Sequence, residues 1–177
     1  MYSVTSRAFH WTMAGLMTLA FTLVWVREDL PKGDLRTSLL SWHMAAGLMV
    51  LALLLPRLLA RLVGTTPSLE HMPRWQRMMA RLGEGGLYLM MLVQPLMGWL
   101  MVNLAGRPVS LLGFGLPTLT GPDPALRSVV SELHENGGTV ILVLVGLHVA
   151  AALYHHVLCR DDVLASMLWR GVRRSRA

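Results

Sequence analysis

The stretch Leu133–His156, LHENGGTVILVLVGLHVAAALYHH, decides how this chain folds. It is an apolar run of bilayer-spanning length with histidines at His134 and His148. Fourteen residues make nearly four helical turns, so the two imidazoles share one helix face, roughly 21 Å apart along the axis. Imidazole inside a transmembrane segment is costly without a partner and marks a functional position. Two such rings on one face can each hold one of two metal centres near opposite sides of a membrane. That arrangement points to electrons moving across it.

Working outward, the composition fits a membrane protein. The 177 residues are 54% hydrophobic and only 15% charged, whereas soluble domains carry about 25% charged residues. Mean hydropathy is +0.49. The apolar residues gather into four segments, about 8–26, 38–62, 82–105 and 132–158. The expected fold is therefore all-α: a single membrane-embedded domain over 1–177, built as a four-transmembrane-helix bundle. Trp11, Trp25, Trp42 and Trp99 fall near segment ends, where amphipathic rings favour the headgroup region of the lipid bilayer. Pro95, followed by Gly98, can kink the third helix, with neighbours satisfying the freed backbone groups. The first segment is expected to be retained, because no A-x-A-like cleavage site follows it and His10 lies inside it.

Net charge is +6 and the isoelectric point about 10.7, a balance that nucleic-acid binding proteins share. Here the basic residues sit beside the apolar segments, which is the pattern of membrane topology, and no nucleic-acid partner is expected. Arg7, Arg57, Arg61, Arg74, Arg77, Arg81, Arg160, Arg170, Arg173, Arg174 and Arg176 fall on one side. Arg27, Lys32, Arg36, Arg107 and Arg127 fall on the other. The bias predicts that both termini are cytoplasmic, in a bacterial inner membrane. The outer side is slightly acidic, since its five bases meet Glu28, Asp29, Asp34, Asp123, Glu132 and Glu135.

Topology then pairs the histidines by depth. His10 starts the first helix near the cytoplasmic surface, and His43 lies near the outer surface on the second. His134 is near the outer surface and His148 deep toward the cytoplasm. The expected pairs are His43 with His134 and His10 with His148, each joining two helices, as a cofactor in a bundle core requires. Bis-imidazole ligation with no carboxylate or thiolate nearby suits an iron porphyrin, whose apolar bulk fills a bundle core. Zinc wants four ligands, and each pair offers two. Ala45, Ala46 and Gly47 after His43, and Gly137, Gly138 and Gly146 on the fourth helix, make room for a flat macrocycle or for close helix packing. The competing reading of the four histidines is polar pore or packing residues in a small transporter or scaffold.

Other candidates carry less. Cys159 is the single cysteine, which excludes an intrachain disulfide, a CxxC motif and multi-thiolate clusters. It reads as a small residue at a helix end. His155, seven residues past His148, is open to three readings: an alternative ligand, a hydrogen-bond partner of a quinone headgroup, or an interfacial residue. His156 points elsewhere and reads as a surface residue, and His71 sits in a proline-rich loop. Glu84 is taken to open the third helix, as an N-terminal charge or a proton relay. The thirteen methionines lack matching depths and read as apolar filler.

Five pieces together resemble the bacterial cytochrome b561 family. They are RAFHW at Arg7–Trp11, SWHMAAG at Ser41–Gly47, and the Tyr88, Pro95, Gly98 pattern. AGRPVSLLGFGLP at Ala105–Pro117 and the histidine-bearing segment Leu133–His156 complete them. The resemblance spans essentially the whole chain. It implies a four-helix membrane cytochrome in which His10, His43, His134 and His148 are the axial ligands of two b hemes. It also implies electron exchange with quinone, ubiquinone as acceptor, at the cytoplasmic-side heme, with His155 near the quinone. At least one member of the family oxidises superoxide at the outer face. The chain departs from the pattern at Glu84, where many members carry histidine, and in an outer surface whose acidity does not steer an anion inward. Two functions follow as expectations: a diheme oxidoreductase linking an outer donor, superoxide among them, to quinone, or a relay cytochrome serving a separate periplasmic or membrane redox partner.

Overall fold

The computed structural model describes residues 2–65 and 73–168, and His71 lies outside them. Four helices carry the fold: α1 (Val4–Glu28), α2 (Asp34–Val63), α3 (Arg74–Leu104) and α4 (Pro124–Tyr154). All four are long and apolar enough to cross a membrane. A two-stranded hairpin, β1 (Ser110–Leu111) and β2 (Phe114–Gly115), stands between α3 and α4. α4 continues into a π-helical turn at His155–Cys159, and a 3-10 turn follows at Ala165–Met167.

Each helix starts before its apolar segment, and at α1 and α4 a polar side chain caps the start. Ser3 accepts from the Ser6 N–H and starts α1. α4 begins at Pro124, eight residues before the apolar run at Glu132. Asp123 accepts from the Ala125 and Leu126 N–H groups, and proline at the first helical position lacks the N–H that would be orphaned there. α3 begins at Arg74, so Glu84 stands well inside a helix rather than opening it. α2 and α3 run through Pro56 and Pro95 without a break.

Packing proceeds along the chain. α1 lies on α2, α2 on α3 and α3 on α4, while the α4 backbone stands further from α1 and α2. Met13, Val50, Leu54 and Met91 form one core cluster, and Leu48, Val102 and Val109 form a second, joined by Met44, Trp99, Leu111 and Leu116. Trp99 thus packs inward on the second cluster, whereas Trp11, Trp25 and Trp42 are exposed. Many large aliphatic side chains remain exposed, among them Leu55, Leu62, Leu147 and Val149. In water that surface would drive association; in a bilayer it faces lipid tails that are as apolar as leucine.

Two irregular pieces close the ends of the bundle. Asn103, almost fully buried, donates to the Arg107 carbonyl and accepts from the Leu119 N–H, tying the hairpin loop to α3. The hairpin turns at Leu112 and Gly113 with φ of 51° and 86°, the left-handed pair that matches strand twist. At the opposite end, Arg7 Nη1 donates to the Leu168 carbonyl and Trp11 Nε1 to the Met167 carbonyl. The start of α1 and the segment after α4 therefore lie together.

Candidate functional site

α4 presents His134 and His148 on one face, and the fold sets one ring from another helix against each. The His10 and His148 centroids are 6.1 Å apart with planes tilted by 46°. Those of His43 and His134 are 6.3 Å apart and nearly perpendicular, at 82°. A metal held between two imidazole nitrogens at about 2 Å from each separates the ring centroids by roughly 6 Å. Both pairs therefore have the spacing of a bis-imidazole site.

The His43–His134 pair has its orientation built in. His43 Nδ1 lies 2.8 Å from the Ala20 carbonyl of α1. A carbonyl only accepts, so Nδ1 carries the proton and the Nε2 lone pair is available to a metal, the usual arrangement behind a metal-binding histidine. His134 reaches its place because α3 has glycine opposite: a Cβ at Gly98 would lie 3.2 Å from His134 Cε1. Its Nδ1 is buried with no hydrogen-bond partner among the described residues. Gln94 Nε2 donates to the His134 carbonyl, and Gly137 leaves room for that amide side chain. Gly47 and Gly146 instead face open space. Glycines with open space around them and a buried imidazole nitrogen without a protein partner fit residues that would hold a flat, bis-imidazole cofactor.

The His10–His148 pair lies beside a positive charge. Arg57 of α2 places Nη2 3.3 Å from His10 Nδ1, Nε 3.3 Å from the Tyr88 hydroxyl and Nη1 3.8 Å from Met13 Sδ. Its guanidinium also lies 5.3 Å from the Tyr88 ring centroid. Among the described residues it has no carboxylate partner, and a cation so placed in an apolar bundle favours any anionic group that arrives. Glu84 is occupied elsewhere, in a two-pronged ion pair with Arg61 at 2.9 and 3.2 Å. Sequence reading missed both arginine roles, since spacing alone does not show which basic residue turns into the bundle.

His155 belongs to the π-helical turn and pairs through Nδ1 with Asp161 Oδ2 at 2.5 Å. Asp161 was not singled out from sequence either. It lies beyond the helix, where periodicity ends, and a left-handed Arg160 brings it back. His156 is half-buried, and Cys159 is exposed beside the His155–Asp161 pair.

A bundle of bilayer-length helices with facing imidazoles at two depths has the build of a membrane metalloprotein. The chain belongs to the prokaryotic cytochrome b561 family, whose model matches residues 1–170. It is therefore a multi-pass membrane b-type cytochrome, an electron-transfer protein for which the family implies b-type heme. It is 28% identical over 171 residues to cytochrome b561 homolog 1 of Escherichia coli K12, covering 96% of this chain and 97% of that one. Cytochrome b561 homolog 2 of the same organism is 29% identical over 170 residues, covering 94% and 90%. A probable superoxide oxidase CybB of Yersinia pestis is 24% identical over 172 residues, covering 94% and 95%.

Proposed function

We propose that the chain holds two b hemes, one between His10 and His148 and one between His43 and His134, and moves electrons between a donor at the outer face and the quinone pool at the inner face. The observation that carries this reading is the pair of ring separations, 6.1 and 6.3 Å, at two depths of one helix. When bound, heme supplies a one-electron iron couple whose potential the protein tunes through axial ligands, nearby charge and burial. His43 is oriented for ligation by the Ala20 carbonyl. Ligation through His10 Nε2 would keep the proton on Nδ1 and free the Arg57 guanidinium, which would then be available to the carboxylates of a bound heme b. Arg7 at the start of α1, Arg57 and Arg61 near the end of α2, Arg74, Arg77 and Arg81 at the start of α3, and the arginines of the C-terminal segment support an orientation with both termini in the cytoplasm.

Arg57→Gln is expected to leave both hemes bound but to lower the midpoint potential of the inner one. A neighbouring cation favours the reduced form, and a tenfold change in that equilibrium corresponds to roughly 60 mV for one electron. Spectroelectrochemical titration of the two hemes reads the shift.

In this reading the quinone headgroup binds beside His155, whose imidazole would offer a hydrogen bond; the contact of that ring with Asp161, which fixes it, supports the reading. His155→Ala is expected to keep two hemes per chain and lower quinone turnover by about tenfold, the scale of losing an orienting hydrogen bond. Loss of a heme in this variant would make His155 a ligand instead.

Superoxide serves as donor in this reading, as the resemblance to the superoxide oxidase supports. A second reading, a relay for a separate redox protein, is favoured by one observation: Glu132 and Glu135, both exposed, flank His134 and repel an anion while attracting a basic partner. Pyridine hemochrome on the purified chain, with spectra after superoxide and then ubiquinone, separates the two. Two hemes reduced by superoxide and reoxidised by ubiquinone support the oxidase. Two hemes inert to superoxide support the relay, and one heme or none overturns the pairing.

A further inference from the structure

We propose that His155, Cys159 and Asp161 form a binding site for a divalent d-block cation of the Zn²⁺ kind at the end of α4. Each side chain offers one ligand atom, and the three atoms lie within 4.8 Å of one another. Ligand atoms in a tetrahedral zinc site are roughly 3.5 Å apart, so small rotamer changes close the set on an ion. One imidazole, one thiolate and one carboxylate leave a fourth position for water. A thiolate selects a borderline or soft cation over Mg²⁺ or Ca²⁺.

The local backbone is shaped to make this cluster. His155 and Cys159 open and close the π-helical turn, an irregularity that recurs at functional positions. Arg160 then adopts φ 53° and ψ 37°, a left-handed conformation costly for a residue with a side chain. The N–H groups of Arg160 and Asp161 both donate to the His155 carbonyl, which folds the chain back over the turn. Asp161 Oδ1 accepts from the Val163 N–H at 3.0 Å, which directs Oδ2 at His155. The imidazole and the carboxylate are thus held before any ion arrives, while Cys159 is exposed at the very end of the membrane-length helix. Binding converts the thiol to thiolate and releases its proton, while the proton that His155 Nδ1 shares with Asp161 moves to Nε2 and frees both atoms for the ion.

The consequence rests on the quinone reading above: a cation on His155 takes the ring that the headgroup would use, so the ion lowers quinone turnover without displacing heme. Because Cys159 is the single cysteine of the chain, maleimide labelling of the heme-loaded protein reads this site alone. Zn²⁺ is expected to slow labelling by about tenfold or more, the scale of a specific metal–ligand contact. Mg²⁺ leaves the rate unchanged, and the heme spectrum does not move. Asp161→Asn and His155→Gln each abolish the protection. Equal rates with and without Zn²⁺, or protection that survives both substitutions, would overturn the cation site. Protection with unaltered quinone turnover supports the cation site and removes the quinone from His155.

Discussion

His148→Ala is expected to take purified protein from two hemes per chain to one and to abolish quinone reduction. Orienting partners behind a metal ligand are worth about 10- to 100-fold in affinity, and the ligand itself more. His10 faces His148 at 6.1 Å, so its loss leaves a single imidazole on α1 with no counterpart. The outer pair stands about four turns away on the same helix, and His43 with its Ala20 bond is untouched. The outer heme should therefore keep its absorption and its reduction by an outer donor. Hemochrome stoichiometry and low-temperature reduced spectra measure both halves of the result. Retention of two hemes would sink the assignment of His148.

Gly98→Leu is expected to remove the other heme. Even a Cβ at this position would stand 3.2 Å from His134 Cε1, and a leucine side chain has to occupy the space of the ring. Overpacking typically costs about 1–3 kcal/mol. Here the imidazole can relieve it by turning away, at the expense of its alignment with His43. The expected product is a folded chain with one heme, inert to outer donors and still reducible by quinol at the inner pair. Gly98→Ala needs a shift of only a few tenths of an ångström and should keep two hemes with an altered outer midpoint potential. A Gly98→Leu protein with two unperturbed hemes would remove His134 from the ligand set.

These two variants differ in how they were found. His148 stands out in the sequence, because an imidazole interrupting an apolar run has no cheap explanation. Gly98 is one of sixteen glycines, and only the approach of α4 to α3 shows that its missing side chain is the space for a ring. The same holds for Gln94, which bonds the His134 carbonyl, and for Arg57, which enters the bundle while Arg61, one turn on, pairs with Glu84. The start of α4 was missed for a different reason. Asp123–Pro124 is a strong local start signal, but hydropathy averages over the polar turn that follows it.

The sequence by itself determined the number of membrane-length helices, the family and the positions of the four histidines along those helices. These follow from periodicity, span length and the cost of polar groups in lipid, all of which are properties of segments taken singly. Which rings face each other at about 6 Å, where Arg57 points, and that Asp161 returns to meet His155 and Cys159 were decided by tertiary structure. Such relations join residues on different helices, or across a left-handed turn, and no one-dimensional pattern records the distance between them.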